Sequence, residues 1–232
     1  MSDSALPAVE ASGLVRRFDD GQRTIEVLSG LDLVVGKGES VAIVGESGVG
    51  KSTLLHLLGA LDEPDAGSVK IGGEDVFTLN ARQLAAVRNS KVGFVFQFHH
   101  LLGDFDALEN VMMPLLVAGK SRSRARARAS QILERVGLGE RLSHRPGELS
   151  GGEQQRVAVA RSVATEPQVV FADEPTGNLD PNTAHEVQNL LIEIQREAEC
   201  ALVVATHSSA LADAMDRTLT MAEGCLHQGE AA

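Results

Sequence analysis

The octad Gly45-Glu46-Ser47-Gly48-Val49-Gly50-Lys51-Ser52 restricts the fold through what flanks it. Upstream, Ser40 to Val44 is a short apolar run with strand character; downstream, Lys51 to Leu61 has helical character. A G-x-x-x-x-G-K-[ST] loop between a buried strand and a helix is a phosphate-binding turn of an α/β core. Its backbone N–H groups and the helix N-terminus point at anionic oxygens. Gly45, Gly48 and Gly50 permit a close approach that a Cβ would block. The turn from Gly45 through Glu46, Ser47, Gly48, Val49, Gly50, Lys51 and Ser52 to Thr53 is therefore assigned to nucleotide binding. Lys51 is placed to reach the β- and γ-phosphates, and the Ser52 hydroxyl to ligate Mg²⁺.

A second apolar run, Val169-Val170-Phe171-Ala172, ends in Asp173-Glu174. An isolated acid pair at a strand end reads as solvated charge; beside a phosphate loop it reads as a site. Asp173 then holds the Mg²⁺ shell. Glu174 faces the γ-phosphate as the base or orienting group for an attacking water. Gln97 ends the strand Val92 to Phe96. Alone it is a polar residue at a strand end, yet an amide there can also coordinate Mg²⁺ or its water and swing away as a γ-phosphate sensor. His207 follows the strand Ala201 to Ala205, and a lone histidine in that place is more often structural.

The opening third is β-rich: runs near Gly13-Leu14-Val15, Ile25 to Leu28 and Leu31 to Val35 are separated by Gly- and Asp-containing turns. Val69-Lys70-Ile71 is a strand entering a turn at Gly72-Gly73. From about Phe98 to Ala164 the pattern becomes helical. Asp106 caps a helix that Pro114 is expected to kink or end. Ile132, Leu133 and Val136 form an apolar face before Gly137. Asp180-Pro181 reads as an N-cap with Pro at the first helical position, opening a helix with Val187, Leu190, Leu191 and Ile194 on one side. No internal repeat is found, so one unit and not a fused pair is expected. The expected fold is α/β, a single domain over residues 1–232 with a β-rich N-terminal part and a helical lobe of about 98–164 inserted in the core.

Composition excludes several classes. A net charge of −11 argues against non-specific nucleic-acid binding. No stretch reaches the roughly 20 apolar residues that span a bilayer. Met1 to Glu10 lacks a basic region followed by an apolar one, so no secretory leader and a cytoplasmic location are expected. With no Trp or Tyr the core must be aliphatic, and Cys200 and Cys225 read as reduced core or near-core thiols.

Leu149-Ser150-Gly151-Gly152-Glu153 is by itself a Gly-rich turn opening a helix. It falls in a series with the phosphate loop at 45–52, Gln97, the strand 169–173, Glu174, the turn Gly177-Asn178-Leu179-Asp180 and His207. That series resembles the motif order of ATP-binding cassette (ABC) ATPases over most of the chain. The resemblance implies a P-loop NTPase of the ABC type with a RecA-like core, ATP and Mg²⁺ as its ligands, and ATP hydrolysis as its reaction. Lys51, Gln97, Glu174 and His207 would be catalytic, with His207 the switch histidine at the γ-phosphate. It also implies a second copy arranged head to tail around two ATP. Ser150, Gly151, Gly152 and Glu153 would then meet the nucleotide of the opposing copy, with Asp180 at the seam. Phe18 falls where these proteins stack an aromatic, often Tyr, on adenine.

Phe96-Gln97-Phe98-His99-His100-Leu101-Leu102, with Asp104 to Val111, resembles the ATPases of bacterial lipoprotein-releasing transporters. The wider group includes macrolide-export ATPases and an ATPase that regulates cell-wall hydrolases, and these remain the alternatives. Gly103 departs from the pattern, which has Pro there. This resemblance implies two integral membrane subunits, lipoprotein cargo contacted by them, and a peripheral place on the cytoplasmic side of the inner membrane. His99-His100 invites a metal reading, but adjacent residues on a regular element do not face one site. Arg122, Arg124, Arg126 and Arg128 read as a solvated face, with anionic lipid headgroups as a weaker alternative.

Overall fold

Alternating apolar residues in the first third build two long strands, not the several short ones expected. The computed structural model describes residues 6–19, 21 and 23–228; the first five residues of the segment read for a leader lie outside them. The strands are β1 (Val9–Asp19), β2 (Thr24–Val35), β3 (Ser40–Val44), β4 (Ala66–Ile71), β5 (Glu74–Asp75), β6 (Val92–Phe96), β7 (Val169–Asp173), β8 (Ala201–Ala205), β9 (Arg217–Ala222) and β10 (Cys225–Gln228). The helices are α1 (Lys51–Leu58), α2 (Ala81–Lys91), α3 (Ala107–Val117), α4 (Arg122–Arg135), α5 (Gly151–Ser162), α6 (Pro181–Ala198) and α7 (Ser209–Asp213).

β1 and β2 pair antiparallel from Val9 opposite Val35 to Asp19 opposite Thr24. Gly30, expected in a turn, lies inside β2 at a register shift, and Gly13 lies at another inside β1. Ser12 and Gly13 together oppose Asp32, whose Oδ1 accepts the Gly13 amide at 2.8 Å. The extra residue bends the strand, and the register shifts again between Leu14 and Val15 and between Arg16 and Arg17. These strands belong to an antiparallel sheet ordered β2-β1-β4-β5.

The second sheet is ordered β10-β9-β3-β8-β7-β6, parallel except for its terminal β9–β10 hairpin. Its inner strands are nearly all apolar, as strands covered on both faces must be. Val41, Ile43, Phe171 and Val203 face a core shared with the antiparallel sheet and α1. Ala42, Val170, Ala172, Leu202 and Val204 face a second core closed by α3, α4, α5 and α6. Cys200 is buried in this second core, where loss of hydration pushes its thiol up to about 11. Because β3, β6, β7 and β8 run parallel, their C-terminal ends meet at one edge: Ile43 pairs with Ala205, and Asp173 pairs with both Ala205 and Phe96. In open parallel sheets that edge is where ligands bind.

Other expectations are refined. The helix after the phosphate loop ends at Leu58, with Gly59 as its C-cap. Asp106 does cap α3, in a reciprocal box with Glu109, but Pro114 does not end the helix. The Pro114 carbonyl still accepts the Ala118 amide, and Asn89 Nδ2 also donates to it at 3.1 Å. Helix α2 has no counterpart in the sequence reading.

Candidate active site

The phosphate loop joins β3 to α1, and its geometry follows from its glycines. Gly50 caps α1 with φ 114°, a left-handed conformation. A Cβ there would lie 2.6 Å from Val27 Cγ1 and 2.9 Å from Met221 Cε, so both backbone and space demand glycine. No side chain caps this helix, which leaves its first amides free for an anion. Lys51 is 6% exposed. Its Nζ donates to the Gly45 and Glu46 carbonyls, each at 2.9 Å, and lies 3.2 Å from His207 Nε2.

Glu174 follows β7 with φ 44°, and its amide donates to the Ala205 carbonyl at 2.9 Å. The left-handed turn lifts the carboxylate off the strand end. Its Oε2 accepts the His207 amide at 3.2 Å and the Thr206 hydroxyl at 3.5 Å. Its buried Oε1 has no hydrogen-bond donor and lies 3.4 Å from His207 Nε2. Lys51, His207 and Glu174 thus form a continuous polar row across the strand ends. Gln97 donates Nε2 to Asn178 Oδ1 at 3.0 Å, while Asn178 Nδ2 returns a bond to the Gln97 carbonyl at 3.3 Å.

A cavity of about 580 Å³ opens over this edge. Ser47, Gly48, Gly50, Lys51, Ser52, Thr53, Gln97, Asp173, Glu174 and His207 line it, all residues singled out in the sequence. Val27 and Gly177 also line it and were not assigned a role. Nor was Asn178, whose only sequence signal was its place beside Asp180. Gly45, Glu46 and Val49 belong to the same loop but are not among the residues that line the cavity. Phe18 lies outside the lining, on β1, 42% exposed, with the Arg16 guanidinium 4.8 Å from its ring centre.

The remaining predicted residues gather on another surface. Ser150 caps α5, accepting the Glu153 amide at 3.2 Å, while Glu153 Oε2 accepts the Ser150 amide at 2.8 Å. That amide, with Arg141 at 3.0 Å, holds the Glu153 carboxyl below the usual carboxylate range. Asp180 caps α6, and the Thr183 and Asn182 donors lower its carboxyl likewise. The two helix starts abut: a Cβ on Gly152 would fall 2.3 Å from Thr183 Cγ2, and one on Gly151 3.6 Å from Leu179 Cδ2.

The oxygen donors in the cavity, the Ser52 hydroxyl, the Gln97 amide and the Asp173 carboxylate, suit Mg²⁺, a hard cation. The partnerless Glu174 oxygen beside them is an acceptor waiting for a donor such as water. Free amides, a buried cation and carboxylates on one cavity can bind a nucleoside triphosphate and orient water against it.

A family model described as ABC transporter matches residues 28–177. The lipoprotein-releasing system ATP-binding protein LolD of Geobacter metallireducens is 53% identical over 216 residues, covering 93% of this chain and 96% of that protein. The protein of the same name from Legionella pneumophila (strain Paris) is 51% identical, covering 94% and 96%. The solved post-hydrolysis dimer of the ATP-binding cassette MJ0796, bound to ADP and Pi, aligns with a TM-score of 0.88. Its identity is 35%, over 96% of this chain and 97% of that one. Motif order, sheet topology and matched span agree: the chain belongs to the ABC transporter family, as one of its ATP-hydrolysing cassettes.

Proposed function

We propose that the chain is the ATPase subunit of a transporter that releases lipoproteins from the bacterial inner membrane toward the outer membrane. The observation that supports this cargo is the likeness, over 93% of the chain, to a protein named for lipoprotein release. In this reading the chain is a single cassette, with residues 98–164 as the lobe that carries the signature turn. It sits peripherally on the cytoplasmic side beneath two integral membrane subunits, which contact the cargo. Among the described residues no helix is long and apolar enough to cross a membrane.

The residue roles follow from position. Residues 45–53 surround the triphosphate, and Lys51 exchanges its two carbonyl partners for β- and γ-phosphate oxygens. Ser52, Gln97 and Asp173 hold Mg²⁺, which when bound neutralises charge on those oxygens. Glu174 accepts a proton from, or aligns, the attacking water, and His207 beside it faces the γ-phosphate. Ser150, Gly151, Gly152 and Glu153, outside this cavity, meet the nucleotide of a second copy placed head to tail, with Asp180 at the seam. Phe18 stacks on adenine after Arg16 moves aside.

Reconstitution tests the cargo. The chain and its two membrane subunits, in vesicles loaded with a lipoprotein, should transfer it to a periplasmic carrier on addition of ATP. Brisk hydrolysis without release would favour an exporter or a regulator of hydrolases instead.

A further inference from the structure

Helix α5 is fastened at two levels around Gln97: Gln155 holds the end of β6 and the loop after β7, and Arg161 holds the turn that follows. Buried Gln155 donates Nε2 to the Pro175 carbonyl at 2.6 Å and to the Phe96 carbonyl at 3.4 Å. Six residues later, roughly 9 Å along the helix axis, Arg161 brackets two successive carbonyls. Its Nη1 donates to His100 O at 2.7 Å and its Nη2 to His99 O at 2.8 Å. Both histidines are left-handed, with φ 53° and 46°. Non-glycine residues keep that conformation where surrounding contacts over-determine it. Here the contacts are the Arg161 fork and the edge of the His100 ring against Phe96, 5.0 Å between centres.

Among the described residues Arg161 has no acidic partner, and burial is what lowers its pKa. A half-buried guanidinium still needs hydrogen bonds for the part withdrawn from water, so the turn is the cation's satisfaction as much as the cation is the turn's support. The carbonyls, not the imidazoles, carry the contact. Lysine gathers its donors on one nitrogen, so it would replace two separately aimed N–H bonds by contacts from a single point and lose the planar fork.

We propose that Arg161 is a positioning residue that locks the Gln97–His100 turn to α5, so that Gln97 and Ser150 shift together. The proposal rests on the roles given above to Gln97 and Ser150. It implies that the γ-phosphate of one site and the signature facing the other are linked mechanically within each chain.

The test uses Arg161→Lys and Arg161→Met in the full chain, with His99→Asn as the control that keeps the carbonyl and tolerates left-handed backbone. The His99 and His100 amides, bonded to the Phe96 and Phe98 carbonyls, report the turn by hydrogen exchange. Both Arg161 variants should exchange about tenfold faster there, the effect of losing a charge-assisted hydrogen bond. Their kcat for ATP should fall by a similar factor with KM kept, while His99→Asn matches the parent. Parental exchange or parental kcat in both Arg161 variants overturns the proposal, as does a His99→Asn defect equal to theirs. Should Arg161→Met fail to fold, Arg161→Lys, which keeps the charge, gives the same reading. Exchange is measured without nucleotide or cargo, so a transporter that fails to release lipoproteins leaves this result standing.

Discussion

Glu174 joins an unusual backbone to an unsatisfied side chain. Its left-handed backbone, φ 44°, is held by the hydrogen bond from its N–H to the Ala205 carbonyl, which no side-chain replacement removes. Glu174→Gln should therefore keep the turn and the cavity. It should lower kcat for ATP by about 10²–10⁴-fold, the usual worth of a general base, with nucleotide affinity retained. Steady-state hydrolysis and nucleotide titration on the same preparation check this; a parental kcat would remove Glu174 from its role. Glu174 was legible because an acid after a buried apolar run has few other uses beside a phosphate loop. Asn178 was not, since its partnership with Gln97 spans 81 residues and leaves no local pattern. Val27 reaches the cavity from a strand of the other sheet, again beyond any local signal.

At the level of elements, the entry to β9 is tied to the start of β3 by one carboxylate in addition to the strand ladder. Asp216 Oδ2 accepts the Ser40 hydroxyl at 2.7 Å and the Ser40 amide at 2.8 Å. Those donors hold the Asp216 carboxyl below its usual range. A depressed carboxyl contributes stability above its unfolded pKa of about 3.9, and that stability is lost as pH falls through the lower folded value. Discounted for solvent exposure, Asp216→Ala should cost about 1 kcal/mol near neutral pH. The gap to the parent should shrink below about pH 4. Denaturant melts across that range check it; a gap that widens with acid would contradict the sign.

Element boundaries were read best where a cap announces them, as at Asp106 and Asp180. Helix α2 escaped notice because Val87 is its one buried residue, so its apolar stripe is thin. The Asn80–Gln83 capping box was the signal available. Pro114 misled because its cost falls on one bond of the helix, and packing of Val111, Met112 and Leu115 into the second core carries the segment past it.

At the scale of the molecule, the predicted residues, Phe18 on β1 apart, fall into two groups that one chain does not bring together. The nucleotide cavity holds the first, and the adjoining starts of α5 and α6 hold the second. If a second copy supplies what each site lacks, Glu174→Gln with ATP should accumulate as a dimer, since closure occurs and release does not. Light scattering should show twice the chain mass with ATP and the single mass without it. Persistence of the monomer at saturating ATP would separate the signature surface from nucleotide sensing. The overall α/β layering was legible from the strand–loop–helix context of residues 40–61. The split into two cores was not, because it depends on which face of each buried strand meets which layer.

That split has a further consequence. Along β7, Val169 and Phe171 belong to one core and Val170 and Ala172 to the other; β8 alternates in the same way. Each strand is a party wall, owned in turn by the rooms on either side. Recombination or grafting that cut within these strands would wound both rooms at once. The seams at which halves of this protein can be exchanged lie in the loops beyond the strand ends, the same loops from which the nucleotide site is made.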